Sequence, residues 1–292
     1  MPHIKGHSGI NWFYDVEGEG ETLVFFHGWG VDRRIWRQQT KHFSQMYKVV
    51  SFDLPGHGES TWKKISLDEM GRDLVKIIRH LNLNEFSLVG SSLGGLFALK
   101  VFELFSKPEP VENSKKASIF NFFIKPKPCK VIIKRITMVG SMPKFARGQE
   151  YPYGLDVTQM KKLGGQLDTS YPSIVNIFFR SLFTDEERAS RRFKWLQKFR
   201  QTDEVPMKQA LSEYLDVLEE SDLREVLKHC AVPMQYINGT EDAICTRETV
   251  EYLRTLSPNA RFDDFERCGH FPFLSKPHEF NQILGEFLEE SK

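Results

Sequence analysis

Three observations in the 292-residue sequence predict an α/β architecture: a mostly parallel central sheet with helices on both faces and a helical cap inserted between strands. First, short apolar runs alternate with helix-length amphipathic segments, the pattern of strands covered on both faces. Second, several apolar runs end in glycine-rich polar loops, as strand ends that bind ligands do. Third, residues from about 150 to 220 keep helical periodicity and hold no convincing strand.

Thr22–Phe26 (TLVFF) reads as a buried strand ending at His27-Gly28-Trp29-Gly30. Tyr47–Phe52 (YKVVSF) reads as another, ending at Asp53-Leu54-Pro55-Gly56-His57-Gly58. Ser66 is placed to cap an amphipathic helix over Leu67–Leu81. Phe86–Val89 reads as a strand, with a helix over Leu93–Leu104 directly after it. Further strands are expected within Lys130–Val139, at Met234–Asn238 and at Arg261–Phe265, with helices over Thr246–Leu256 and His278–Leu288. The core is then built from residues 1–149 and 221–292, and residues 150–220 form the cap, or lid, over the strands' carboxyl edge. A second interruption, Lys107–Pro128, is rich in proline and lysine but carries Phe120, Phe122 and Phe123. It joins a helix to the next strand, which puts it at the edge opposite the ligand side. It reads as a solvated loop with a hydrophobic tuck, or as a partner or membrane-surface contact.

Hydrophobic residues make up 40% of the chain and charged residues 27%, enough for a sizeable core. The formal net charge of +1 gives no sign of nucleic-acid binding. Cys129, Cys230, Cys245 and Cys268 show neither a CxxC nor a metal-ligand spacing, and read as free thiols in a reducing compartment. The first twenty residues lack the apolar stretch of a signal peptide, and no run is long enough for a membrane span. A cytoplasmic protein is expected, as a monomer.

Gly90-Ser91-Ser92-Leu93-Gly94 matches G-x-S-x-G. At ordinary glycine usage that match arises by chance in roughly one chain of this length in ten, so context decides. A strand precedes it and a helix follows, the arrangement a nucleophile elbow needs. Ser92 at the apex is the candidate nucleophile, and Ser91 before it is expected to have a packing role. A serine nucleophile needs a base, and the base an orienting acid. Downstream of Ser92 the histidines are His229, His270 and His278. His229 is placed as a helix C-cap and His278 opens the last helix. His270 sits in a glycine-containing turn after a strand, where a base can reach Ser92. Asp242, in Gly239-Thr240-Glu241-Asp242 after another strand, is the preferred acid, with Glu241 its rival. The backbone N–H groups of Trp29 and Leu93 are the candidate oxyanion donors, and the Trp29 side chain a candidate wall of the acyl pocket.

HGWG, the Trp36-Arg37 after it, DLPGHGES, VGSSLGG, NGTED and CGHFPFLSKPHEF occur in this order. With these motifs the chain resembles the α/β-hydrolase superfamily, and within it the pimeloyl-acyl-carrier-protein methyl ester esterases of biotin synthesis. The resemblance covers roughly residues 10–105, 130–145 and 221–288. It implies a serine carboxylesterase with Ser92, Asp242 and His270 as triad and Trp29 and Leu93 as oxyanion residues. The implied reaction frees methanol and leaves the pimeloyl chain on the carrier protein as a carboxylate. It further implies that cap arginines engage the acidic carrier; here Arg180, Arg188, Arg191 and Arg192, with Lys194 and Lys198, are the candidates, against the alternative of a solvated helix face. The Lys107–Pro128 insertion departs from the family pattern. No metal or organic cofactor is needed for the chemistry. The same triad suits a broad carboxylesterase or a C–C bond hydrolase, and a non-catalytic receptor can retain it.

Overall fold

The computed structural model describes residues 2–107, 131–200 and 205–290, with side chains for all but 198–200 of these. Lys107–Pro128, apart from Lys107 itself, lies outside the described residues, as do Cys129 and the Lys198 side chain.

The chain opens with strands β1 (His3–Lys5) and β2 (Asn11–Glu17), followed by β3 (Thr22–Phe26). A 3₁₀ turn over Arg33–Trp36 runs into helix α1 (Arg37–Phe43), then β4 (Lys48–Phe52), α2 (Leu67–His80), β5 (Glu85–Ser91) and α3 (Leu93–Ser106). After β6 (Ile132–Val139) come five helices: α4 (Val157–Ser170), α5 (Ser173–Ser181), α6 (Asp185–Ala189), α7 (Arg191–Arg200) and α8 (Lys208–Glu220). The core resumes with α9 (Arg224–Lys228), β7 (Met234–Gly239), α10 (Arg247–Leu256), β8 (Arg261–Phe265), α11 (Pro272–Ser275) and α12 (Pro277–Glu289).

The strands form one sheet in the order β1-β2-β4-β3-β5-β6-β7-β8. All neighbours from β4 to β8 run parallel, while β2 is antiparallel to both β1 and β4. β3 and β7 are buried along their whole length, because helices cover both faces of a parallel sheet. The α/β expectation therefore holds, and the expected strands fall within two residues of their observed bounds at most ends. β1 and β2 were not read from the sequence. Asn11–Glu17 buries only part of its length against an edge partner and has no uninterrupted apolar run.

The α2 helix starts where expected. Ser66 accepts from the Glu69 N–H while the Glu69 carboxylate accepts from the Ser66 N–H, a reciprocal capping box. His229 follows α9 as its C-cap, with Nδ1 on the Glu225 carbonyl. Helices α4, α5, α7 and α8 share one continuous buried apolar cluster with the sheet, joined through Ile174, Phe179, Leu211 and Tyr214. They pack on the core directly and do not build a separate one. Among the described residues no helix is long and apolar enough to cross a membrane.

Parallel pairing aligns the carboxyl ends of β3, β5, β6, β7 and β8 along one edge, and the loops leaving that edge carry the candidate site. Packing is close where β5 turns into α3. A Cβ on Gly94 would stand 2.3 Å from the Phe26 carbonyl oxygen at the end of β3, backbone that has no room to move. We expect Gly94→Ala to lower stability by about 3 kcal/mol, at the upper end for overpacking. Urea denaturation checks this, and an unchanged midpoint would contradict the packing.

Candidate active site

Ser92 occupies φ 52°, ψ −122°, a conformation that a residue with a Cβ adopts only under constraint. The constraint comes from the neighbouring strand. The Ser92 N–H donates to the Val139 carbonyl at 2.9 Å, and the Ser141 hydroxyl donates to the Ser92 carbonyl at 2.6 Å. The turn lifts Ser92 to the N-terminus of α3, while Ser91 is fully buried below it, as a packing residue would be.

Three other loops converge here. The His27–Gly30 loop leaves β3 and passes so close that a Cβ on Gly28 would lie 3.2 Å from the Ser92 Cβ. The loop after β7 brings Asp242 and the loop after β8 brings His270. His270 Nδ1 and Asp242 Oδ2 are 2.7 Å apart, with the two side chains 2% and 0% exposed. The second Asp242 oxygen accepts from the Ile244 N–H at 2.7 Å, which fixes the carboxylate plane. A carboxylate accepts only, so Nδ1 carries the proton and Nε2 is left as the basic nitrogen. Glu241, the rival acid, is exposed.

Ser92, His270, Gly28 and Trp29 line one cavity of about 320 Å³. Its roof comes from the helical segment, with Gln159, Met160 and Gln166 from α4, Phe178 from α5 and Leu215 from α8. Among the described residues, no Asp, Glu, Lys or Arg lines it. The Trp29 ring stands edge-on to Phe178 at 5.0 Å, and its Nε1 donates to the Leu211 carbonyl of α8 at 2.9 Å. Among the described residues, no protein acceptor is paired with the backbone N–H of Trp29 or of Leu93.

Two buried histidines, His27 of HGWG and His57 of DLPGHGES, hold the Trp29 peptide. His27 Nδ1 lies 2.8 Å from the Gly28 carbonyl, and His27 Nε2 accepts from the Leu54 N–H. His57 Nε2 accepts from the Gly30 N–H at 3.3 Å, and its Nδ1 lies 3.2 Å from the Pro55 carbonyl. Each ring therefore carries its proton on Nδ1 and is neutral. In a planar trans peptide the C=O and N–H point opposite ways. Holding the Gly28 oxygen on one side thus turns the Trp29 N–H to the other.

The cap arginines do not line the cavity. Arg188 donates to the carbonyls of Phe183 and Arg180 and pairs with Asp185. Arg192 donates to the Leu274 carbonyl and to Gln38. Arg180 lies over the Phe193 ring at 5.7 Å, and Arg191 and Lys194 are exposed. The helical residues that do line the cavity were missed. Apolar spacing such as Met160 and Leu163 marks a buried face, but not whether that face meets core or cavity. Among the described residues no group of three or more His, Cys, Asp or Glu side chains is arranged to hold a metal ion.

Residues 23–283 match the model of the alpha/beta hydrolase family. The chain belongs to that family. It is similar to a pimeloyl-[acyl-carrier protein] methyl ester esterase of Nitrosomonas europaea, 27% identical over 266 residues, covering 91% of this chain and 95% of that one. A protein of the same name from Aliivibrio fischeri is 28% identical over 279 residues, covering 95% and 97%. Among solved structures, an esterase from Exiguobacterium antarcticum superposes with a TM-score of 0.81 at 20% identity, covering 99% of both chains. An enol-lactonase from Burkholderia xenovorans gives 0.79 at 18%, covering 99% and 100%.

Burial, which outweighs the opposing pull of backbone carbonyls and of Asp32, lowers His27 to about 4 and His57 to about 3. Both are below the unfolded value, so the folded state gains stability above pH 6.5 and loses it as the unfolded chain takes up protons below that. Each contributes about 1.4 kcal/mol per pH unit over this range. Asp53, pushed up to about 6 by burial against the pull of Arg33, binds a proton in the folded state and offsets one of the two. Urea midpoints should fall between pH 6 and 4.5, and His27→Asn, which keeps a donor at the Nδ1 position, should make the fall shallower. An identical slope in the variant would contradict the assignment of neutral His27.

Proposed function

We propose that the chain is a serine carboxylesterase in which Ser92 attacks the ester carbonyl, His270 is the general base and Asp242 orients it. The observation that carries this is the buried 2.7 Å pairing of His270 with Asp242 beside a cavity that His270 shares with Ser92. His270 Nε2 takes the Ser92 proton as Oγ attacks. The amides of Trp29 and Leu93, the latter at the positive end of α3, hold the oxyanion. Asp242 balances the imidazolium. His270 then protonates the departing alcohol, and water hydrolyses the acyl-enzyme by the same route in reverse.

The proposed substrate is the methyl ester of a pimeloyl chain on acyl carrier protein, giving the free carboxylate and methanol. Two things support it: the names of the relatives above, and a cavity that no charged side chain lines among the described residues. A free half-ester would bring an unpaired carboxylate into an apolar space, at the cost of desolvating it. A carrier-linked chain is neutral at both ends until the ester is cut. Residues 150–220 act as the cap that selects this chain. Arg180, Arg191 and Lys194, which are exposed, are better placed to meet an acidic carrier than Arg188 and Arg192, which are tied to carbonyls. The proposed setting is the cytoplasm, where Cys230, Cys245 and Cys268 stay free, and the chain works alone. The apolar lining also suits a second reading, a broad carboxylesterase or C–C bond hydrolase.

Ser92→Ala should abolish turnover of a short p-nitrophenyl ester while leaving the unfolding midpoint in place; undiminished turnover would remove Ser92 from the mechanism. For the substrate, kcat/KM on the carrier-linked methyl ester should exceed that on free monomethyl pimelate at least about tenfold, roughly 1.4 kcal/mol of transition-state binding. Equal values would favour the broad esterase.

A further inference from the structure

The loop that carries His270 is held from two sides. On the core side the Cys268 carbonyl accepts from the Glu241 N–H at 2.9 Å, and Thr240 Oγ1 accepts from the Arg267 N–H at 3.0 Å. These contacts tie the base's loop to the acid's loop. On the other side the partners belong to the turn between α5 and α6 and to α6 itself. The His270 N–H donates to the Leu182 carbonyl at 2.8 Å. The Gly269 N–H donates to Glu187 Oε2 at 3.1 Å, and the Cys268 thiol donates to Glu187 Oε1 at 3.2 Å. Two consecutive backbone amides, one of them that of His270, thus end on atoms of the helical segment.

Glu187 is itself fixed. Its Oε2 accepts from the Thr184 N–H at 2.7 Å, and its own N–H donates to the Thr184 hydroxyl, the capping box that starts α6. Arg188 closes the same turn on the Phe183 carbonyl. The rings of Phe179 and Phe183 pack on Phe271, next to His270, with centroids 5.7 Å and 5.6 Å away. One carboxylate therefore joins the start of a cap helix to the mounting of the base.

The geometry points to Glu187 as a positioning residue for His270, so that the cap turn 182–188 is part of the base's mounting and displacing it misaligns the proton transfer. Glu187 is not among the residues that line the cavity; it acts through Gly269 and Cys268. This inference rests on His270 being the base.

The test uses three variants in the full chain, each assayed on a short p-nitrophenyl ester and scaled to active sites titrated by a fluorophosphonate. Glu187→Ala removes both acceptors. Glu187→Asp keeps the charge and can still cap α6, but withdraws the carboxylate by about 1.5 Å, one C–C bond; it stands in if the alanine variant does not fold. Glu187→Gln retains one oxygen able to accept from both Gly269 and Thr184. The expected result is a fall in kcat of about ten- to a hundredfold for the alanine and aspartate variants, the range for an ångström-scale misplacement. KM should stay within about twofold, and Glu187→Gln should recover most of kcat. A purely structural role would lower the unfolding midpoint and the number of titrated sites, but not kcat per site. Alanine and aspartate variants with wild-type kcat per site, or a glutamine variant as impaired as the alanine one, would overturn the inference. His270→Ala serves as the reference: if it retains turnover, the assignment of the base has failed and not the coupling alone.

Discussion

The site depends on one steric constraint, the passage of the Ser92 turn between three backbones. At Gly94 the first turn of α3 lies against the carbonyls at the end of β3, and at Gly28 the next loop closes over the serine from the other side. β6 holds the turn through Val139 and Ser141. A positive φ at Ser92 costs of order 1–3 kcal/mol, and it persists because these neighbours leave no alternative. The parallel register of the sheet supplies the rest, by bringing the ends of β7 and β8 to the same edge as the end of β5.

Buried histidines in this protein fall into two kinds, distinguished by what faces their protons. The ring nitrogens of His27 and His57 meet backbone groups, so burial makes their cations costly and they remain neutral braces for the Trp29 peptide. His270 is as deeply buried but faces the Asp242 carboxylate, which offers its cation a partner. That difference suits the first two to structure and the third to carrying a proton. The helical segment contributes beyond its roof over the cavity, because Leu182 and Glu187 bind the backbone around His270 directly.

Legibility in the sequence followed the strength of the local signal. TLVFF and the run before Ser92 were plain because buried parallel strands are apolar throughout, and the Ser66 cap was plain because its partner Glu69 stands three residues on. Asn11–Glu17 was not, since a strand beside the sheet edge with mixed burial has no such run. Asp242 and His270 could be picked out because each follows a strand at its carboxyl end. The arginines show the limit of composition. A basic cluster over 180–192 says nothing of where a guanidinium points, and Arg188 and Arg192 turn out to be bound to carbonyls of the cap turn and of α11. Glu187 was illegible for the same reason, as its partners Cys268 and Gly269 are some eighty positions away.

The central claim is that Ser92, and not the adjacent Ser91, is the group His270 activates. Peptide mapping by mass spectrometry after reaction with a fluorophosphonate reads this directly. One phosphonyl group per chain, on Ser92, is the predicted result, with labelling lost when His270 is replaced by alanine. A label on Ser91, or labelling of Ser92 that proceeds unchanged without His270, would contradict it.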